Sequence, residues 1–231
     1  MTTPTTLAAP DGHTFDAHRA EPEGSPLGGI VVVQEIFGVN DHIRAVTDRF
    51  AAAGYLAVAP ALFDRIRRGV ELDYDAAGTE EGRDLAWSGP LDGPLTDIAA
   101  TADALGAELG GAGRVATVGY CYGGMLSAAT ACRSPRSIGA AVAYYPSMAA
   151  QLLVADQPHV PLLVHLGDTD ARVTPADGRA LQDRWPDAEF HRYPAGHGFN
   201  CDRRADFDQA SSDLAFERTL AFLAAHLDGG A

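Results

Sequence analysis

Positive charge is what this chain of 231 residues has least of. Seventeen Lys and Arg stand against 31 Asp and Glu, a formal net charge of −14 and a pI near 4.8. A nucleic-acid backbone is held by clustered basic side chains, and no such cluster is evident, so nucleic acid is excluded as a partner. The same acidity favours solubility and offers no attraction to an anionic membrane. An anionic substrate would need arginines placed locally against the overall field. Cysteine is scarce as well: Cys121, Cys132 and Cys201 are an odd number, widely spaced, with no CxxC pair. That excludes a disulfide framework and a zinc knuckle, and points to reduced thiols in a cytoplasmic protein. No apolar run approaches the ~18 residues of a membrane span. The opening "MTTPTTLAAPDG" has neither the basic nor the apolar region of a signal peptide.

What is present alternates between strand and helix. "GGIVVVQEIFG" is a β-branched run bounded by glycine, suited to a buried parallel strand, and "DHIRAVTDRFAAAG" continues with helical spacing to Gly54 as C-cap. "YLAVAPAL" is the next strand. Residues 64–94 are more polar and punctuated, an excursion holding a short helix around Trp87. The helix "LTDIAATADALGAELG", the strand "RVATVGY" and the small-residue helix "YGGMLSAATAC" follow. Further strands are "IGAAVAYYP", "VPLLVHLGD" and "AEFHRYP", with the helix "PADGRALQDRW" before the last of them. "SDLAFERTLAFLAAHL" closes the chain with Ser or Asp as N-cap. At 46% hydrophobic residues, with no internal repeat or long linker, this reads as one α/β domain over residues 1–231: a mostly parallel central sheet with helices on both faces. Ligands on such sheets bind beyond the carboxyl ends of the strands, so the residues there are the ones to weigh.

Gly119-Tyr120-Cys121-Tyr122-Gly123-Gly124 follows one strand and opens a helix. This is a nucleophile elbow, G-x-nucleophile-x-G, with cysteine in the place of serine. The glycines let the strand turn sharply into the helix, and the helix N-terminus favours a thiolate. The competing reading is a buried structural cysteine. A cysteine nucleophile needs a base and the base an orienter. Of eight histidines, His197 in "YPAGHGF" lies in a loop between the last strand and the closing helix, within reach of the sheet's active edge. His165, inside an apolar strand, reads as core. The orienter is expected after "VPLLVHLG", where "GDTDARVTP" offers both Asp168 and Asp170; either could simply shape the turn. Glu35 in "QEIFGVN" follows a buried strand, where an unpaired carboxylate is costly. It is either a structural ion pair or a proton acceptor for the thiol. The backbone N–H groups of Ile36 and Tyr122 are candidates for an oxyanion hole.

Together, "QEIFGVN", "GYCYGG", "GDTDARVTP" and "YPAGHGF" resemble, in order and spacing, the dienelactone hydrolase family, the carboxymethylenebutenolidases of the α/β-hydrolase superfamily. The likeness runs from "VVVQEIFGVN" to "LAFERTLAFL". It implies the α/β-hydrolase fold, with Cys121 as nucleophile, His197 as base and Asp170, three residues before Val173-Thr174-Pro175, as the acid. It also implies that Glu35 touches the resting thiol and takes its proton, and that Arg65 in "APALFDR" binds a substrate carboxylate. The family's second arginine falls at Cys201. Arg203 and Arg204 are out of register, and Gly198 stands where serine is often found. Neutral esters or lactones are therefore expected to be accepted nearly as well as carboxylated ones. Tyr145, Tyr122 and Trp87 are expected as pocket walls. The implied chemistry is acyl transfer through a thioester on a small lactone or ester, with no metal or organic cofactor, in a monomer or homodimer. The alternatives are a broad small-ester or thioester hydrolase, and a thiol redox sensor built on the three cysteines.

Overall fold

The structure, a computed structural model, describes residues 2–227. One eight-stranded sheet runs through them in the order β1-β2-β4-β3-β5-β6-β7-β8. The strands are β1 (Thr2–Ala8), β2 (Thr14–Ala20), β3 (Gly29–Val33), β4 (Leu56–Pro60), β5 (Val115–Tyr120), β6 (Ala140–Tyr144), β7 (Leu162–Gly167) and β8 (Glu189–Tyr193). From β4 to β8 every pairing is parallel, while β1 and β2 add antiparallel at the β4 edge. The seven α-helices are α1 (Asp41–Ala52), α2 (Ala76–Ala86), α3 (Asp92–Leu109), α4 (Tyr122–Arg133), α5 (Ala149–Leu152), α6 (Pro175–Arg184) and α7 (Gln209–His226).

The central strands are buried on both faces, as a parallel sheet requires, and alternate residues serve two cores. Val31 and Val33 join Ile98, Leu105, Met125 and Leu181 from α3, α4 and α6. Ile30 and Val32 join Ile43, Phe50, Phe222 and Leu223 from α1 and α7 on the opposite face. His165 in β7 is a core residue, hydrogen-bonded to the Tyr193 and Thr219 hydroxyls at 2.8 and 3.0 Å, and burial holds its imidazole well below its usual range. Among the described residues, no helix is long and apolar enough to cross a membrane.

Three segments differ from the sequence-based expectation. The amino-terminal stretch, in which no strand was expected, is the β1–β2 hairpin; an edge hairpin with alternating exposure lacks the apolar run that marks a buried strand. The excursion holds α2, with Trp87 at its C-cap, and α3 starts at Asp92 rather than Leu95. The closing helix begins at Gln209, because Asp208 is the N-cap and accepts a hydrogen bond from the Ser211 N–H at 2.8 Å.

Candidate active site

The turn from β5 into α4 places Cys121 at φ 55°, ψ −110°. That is a strained conformation for a residue with a Cβ, costing about 1–3 kcal/mol. Backbone bonds hold it there: the Cys121 N–H donates to the Tyr144 carbonyl at 3.0 Å, and the Cys121 carbonyl accepts from Ser147 at 3.1 Å and Met125 at 3.2 Å. The flanking glycines are required by close approach. A Cβ on Gly123 would lie 2.2 Å from the Val33 carbonyl oxygen and 2.4 Å from that of Gln34. Neither backbone can yield, so Gly123→Ala is expected to destabilise the fold by about 1–3 kcal/mol. For a domain of this size that is a fall in Tm of roughly 2–12 °C. A thermal melt unchanged within 1 °C, on the order of measurement error, would contradict this tight packing.

The Cys121 thiol meets groups from two loops, and a third holds the histidine. Its Sγ is 3.1 Å from His197 Nε2 and 3.3 Å from the Ser147 hydroxyl. His197 Nδ1 lies 2.8 Å from Asp170 Oδ2. Asp170 Oδ1 accepts from the Arg172 and Val173 N–H groups at 2.7 and 2.9 Å. These bonds satisfy a fully buried carboxylate. Asp168, by contrast, is on the surface and receives Arg192 Nε at 2.7 Å. Burial opposes charge on both Cys121 and His197, but each supports the other's. The thiol is lowered by the neighbouring imidazole, and the imidazole is raised to about 9 by the thiolate and Asp170. Each group thus favours the charged form of the other, the direction that would activate a cysteine as a nucleophile.

A cavity of about 380 Å³ opens on the thiol. Ile36 and Tyr122 line it. Tyr122 is the first residue of α4, so its N–H has no acceptor within the helix. Gly82 of α2 supports the Ile36 peptide so closely that a Cβ there would fall 2.2 Å from the Ile36 carbonyl oxygen. Trp87 also lines the cavity, edge-on to Tyr122 with centroids 5.4 Å apart.

Three expected roles do not match where the side chains lie. Arg65 is outside the cavity. Its guanidinium grips the fully buried Asp97 of α3 in two bonds of 2.8 and 2.7 Å and reaches Asp11 at 2.8 Å, which makes it a structural ion pair. Glu35 makes no hydrogen bond to the thiol among the described residues. Its carboxylate accepts from the Tyr74 hydroxyl at 3.1 Å and from Arg204 at 3.4 Å, and the thiol's own partners are His197 and Ser147. Tyr145 is fully buried behind the catalytic loop, its ring edge-on to His197 at 5.0 Å, and backs the imidazole instead of lining the cavity.

Other cavity residues were not singled out from the sequence. Ser147 follows the strained Tyr145 (φ 36°) and precedes Met148 (φ 65°), a turn that aims its hydroxyl at the thiol. Arg83, Arg172 and Arg204 all line the cavity. Gly198 is what admits Arg204: a Cβ on this residue would come within 2.7 Å of the guanidinium Nε. That closeness was the signal, because glycine beside the histidine leaves space for a side chain from elsewhere.

A sharply turned cysteine at the end of the fifth strand, followed in chain order by an aspartate and a histidine at later strand ends, is the arrangement of an α/β-hydrolase. The match to the Dienelactone hydrolase family model spans residues 15–227, and the chain belongs to that family; it is a hydrolase. The chain is 34% identical to the carboxymethylenebutenolidase of Pseudomonas putida, over 93% of this chain and 92% of that one. It is 30% identical to carboxymethylenebutenolidase 1 of Cupriavidus pinatubonensis, with 94% of each chain covered. A solved structure from Klebsiella pneumoniae, provisionally described as a dienelactone hydrolase, superposes with a TM-score of 0.83 at 29% identity, covering 97% of this chain and 99% of that one.

Proposed function

We propose that this chain hydrolyses small carboxylated lactones or esters through a thioester on Cys121. The observation that carries the reading is the chain of contacts Cys121 Sγ–His197 Nε2–Asp170 Oδ2, 3.1 and 2.8 Å long, facing a cavity. The thiolate attacks the acyl carbon. The developing oxyanion is received by the N–H groups of Ile36 and Tyr122. His197 gives its proton to the departing alkoxide or enolate, then takes one from the water that cleaves the thioester. Asp170 holds the imidazole with Nδ1–H inward. The site's own side chains suffice for these steps. Unpaired thiols at all three cysteines fit a reducing, cytoplasmic compartment.

The wall of the cavity supports an anionic substrate and revises the expectation drawn from Cys201. Arg83, Arg172 and Arg204 line it, and no Asp or Glu does. Among the described residues, Arg83 and Arg172 are in no salt bridge. In a chain of net charge −14, three guanidinium groups around one small cavity form a local reversal of the field. One charge-assisted hydrogen bond is worth about 1.5–3 kcal/mol, so kcat/KM for a carboxylated lactone should exceed that for a neutral lactone of equal size by roughly 10–100-fold. Arg204→Ala should shrink that ratio about tenfold. The ratio is read on one variant at a time, so damage to the shared chemistry cancels. Equal rates on both substrates in the wild type would favour a broad small-ester hydrolase, and no turnover of either would refute the reading.

A further inference from the structure

Behind the His197 loop lies a second set of reactive side chains that the proposed reaction does not use. Glu35 after β3, His42 in the first turn of α1 and Cys201 after the catalytic histidine are all buried, and one ligand-type atom from each lies within 4.8 Å of the others. His42 is the telling member. Its Nδ1 faces Asp202 Oδ1 at 3.3 Å, while its Nε2 is enclosed with no hydrogen-bond partner among the described residues. With Nδ1–H donated to Asp202, Nε2 carries a lone pair and nothing to receive it. A buried polar atom left in this way calls for a ligand. A second orphan stands close by: the Tyr145 hydroxyl is buried without a partner, and Glu35 and Cys201 are among its ionisable neighbours.

We propose that Glu35, His42 and Cys201 form a binding site for a divalent ion of the zinc class, separate from the nucleophile. A carboxylate oxygen, an imidazole nitrogen and a thiolate sulfur suit Zn²⁺, with water in a fourth position. Asp202 behind His42 is the outer carboxylate that orients a zinc-bound imidazole and fixes its tautomer. Tetrahedral bonds of about 2.0–2.3 Å put ligand atoms roughly 3.5 Å apart, so no pair of the three side chains needs to close by more than about 1.3 Å.

The approach suits a cation. A cleft of about 600 Å³ reaches His42 and Tyr74 from solvent, and Asp41, Glu71, Asp73 and Asp75 stand along it with Arg203. Arg44 pairs with Asp41 and Glu71 and partly offsets them, leaving Asp73 and Asp75 to draw the ion inward. Inside, the ion displaces Arg204 from Glu35; that contact is only 3.4 Å, and Arg204 already lines the catalytic cavity, into which it can turn. Cys201 binds as a thiolate, and the proton it loses leaves with the displaced water, so each bound ion releases one proton to solvent.

The experiment uses the full chain, stripped with a chelator and titrated with Co²⁺ and then Zn²⁺, and needs no turnover. Co²⁺ should give thiolate-to-metal absorption and the visible bands of a tetrahedral site, Zn²⁺ should displace it, and about one equivalent of metal should remain after gel filtration. His42→Ala and Cys201→Ser should each weaken binding at least tenfold, with sulfur absorption lost in the latter. Asp202 is 61% exposed; Asp202→Asn is expected to fold normally and to weaken binding about tenfold. Cys121→Ala should bind as the wild type does. Absence of retained metal in the wild type, equal retention in wild type, His42→Ala and Cys201→Ser, or loss of metal in Cys121→Ala would each overturn the assignment. If the two ligand variants fail to fold, the Asp202→Asn and Cys121→Ala results decide it: no loss in the first, or loss in the second, refutes the site.

Discussion

Cys121→Ala is expected to lose ester and lactone hydrolysis by at least about 10⁴-fold while keeping the wild-type melt, since alanine keeps the same Cβ, and so the same strain at φ 55°, and leaves the backbone bonds of the elbow in place. Two further readings tie the loss to the thiolate. Wild-type protein quenched during turnover should carry the acyl group on the peptide containing Cys121, and the alanine variant should carry none. Alkylation by iodoacetamide should also be faster at pH 7 than for an ordinary thiol of pKa ~8.5, because His197 lowers the Cys121 thiol despite its burial. The reactive pair exists above the lowered thiol value and below the raised imidazole value. The rate limb that depends on the imidazolium should therefore fall as pH rises through about 9. Wild-type activity in Cys121→Ala would remove the nucleophile from this site.

The same side chains argue against a redox sensor. Cys132 and Cys201 are both pushed up to about 12, chiefly by burial. Neither is a thiolate at neutral pH, so neither is poised to resolve an oxidised Cys121. Cys132 lies in the helix α4, which leads away from the elbow.

How much of this was legible in the sequence depends on whether the deciding contact is local. The elbow was readable because its motif lies within six residues and part of its requirement is local: Gly119 is glycine since the Gly123 carbonyl oxygen leaves no room for a Cβ, while Gly123 and Gly124 answer to the distant Val33 and Tyr144 carbonyls. The β5–α4 step and the burial of β3 on both faces follow from short apolar runs in the same way. Arg65 was misread because its partner Asp97 is 32 residues away, on the helix that crosses it, and a position in a motif does not say which carboxylate the guanidinium will meet. Arg204 was passed over for the converse reason. It is out of register in the chain, yet the tight turn in which the Cys201 N–H donates to the Gly198 carbonyl at 2.8 Å, followed by Arg204 N–H to the Cys201 carbonyl at 3.1 Å, folds it back over Gly198. Ser147 depends on two departures from ordinary backbone geometry, at Tyr145 and Met148, which no hydrophobic pattern encodes.

The two aspartates of one loop should separate by several orders of magnitude. Asp170→Asn is expected to lower kcat by about 10²–10⁴-fold, and Asp168→Asn to change it less than about twofold. The larger value is the loss seen when a serine hydrolase loses its triad acid; a cysteine, being far more acidic than a serine, depends on it less. The physical cause is specific. An amide at position 170 can offer its NH₂ to His197 Nδ1, which reverses the tautomer and points a proton from Nε2 at the sulfur in the neutral ring. It also removes the buried charge that helps raise His197 to about 9, so the imidazolium forms only at lower pH. The alkaline limb of the rate profile should therefore move down in Asp170→Asn. Asp168 pairs with Arg192 at the surface, where exchange of a half-exposed carboxylate costs little. The measurement is kcat across pH 5–10 for both variants beside a thermal melt. A melt depressed in Asp170→Asn with an unmoved alkaline limb would mean the carboxylate serves only to tie down the Arg172 and Val173 N–H groups. Equal kcat losses in the two variants would remove Asp170 from the triad.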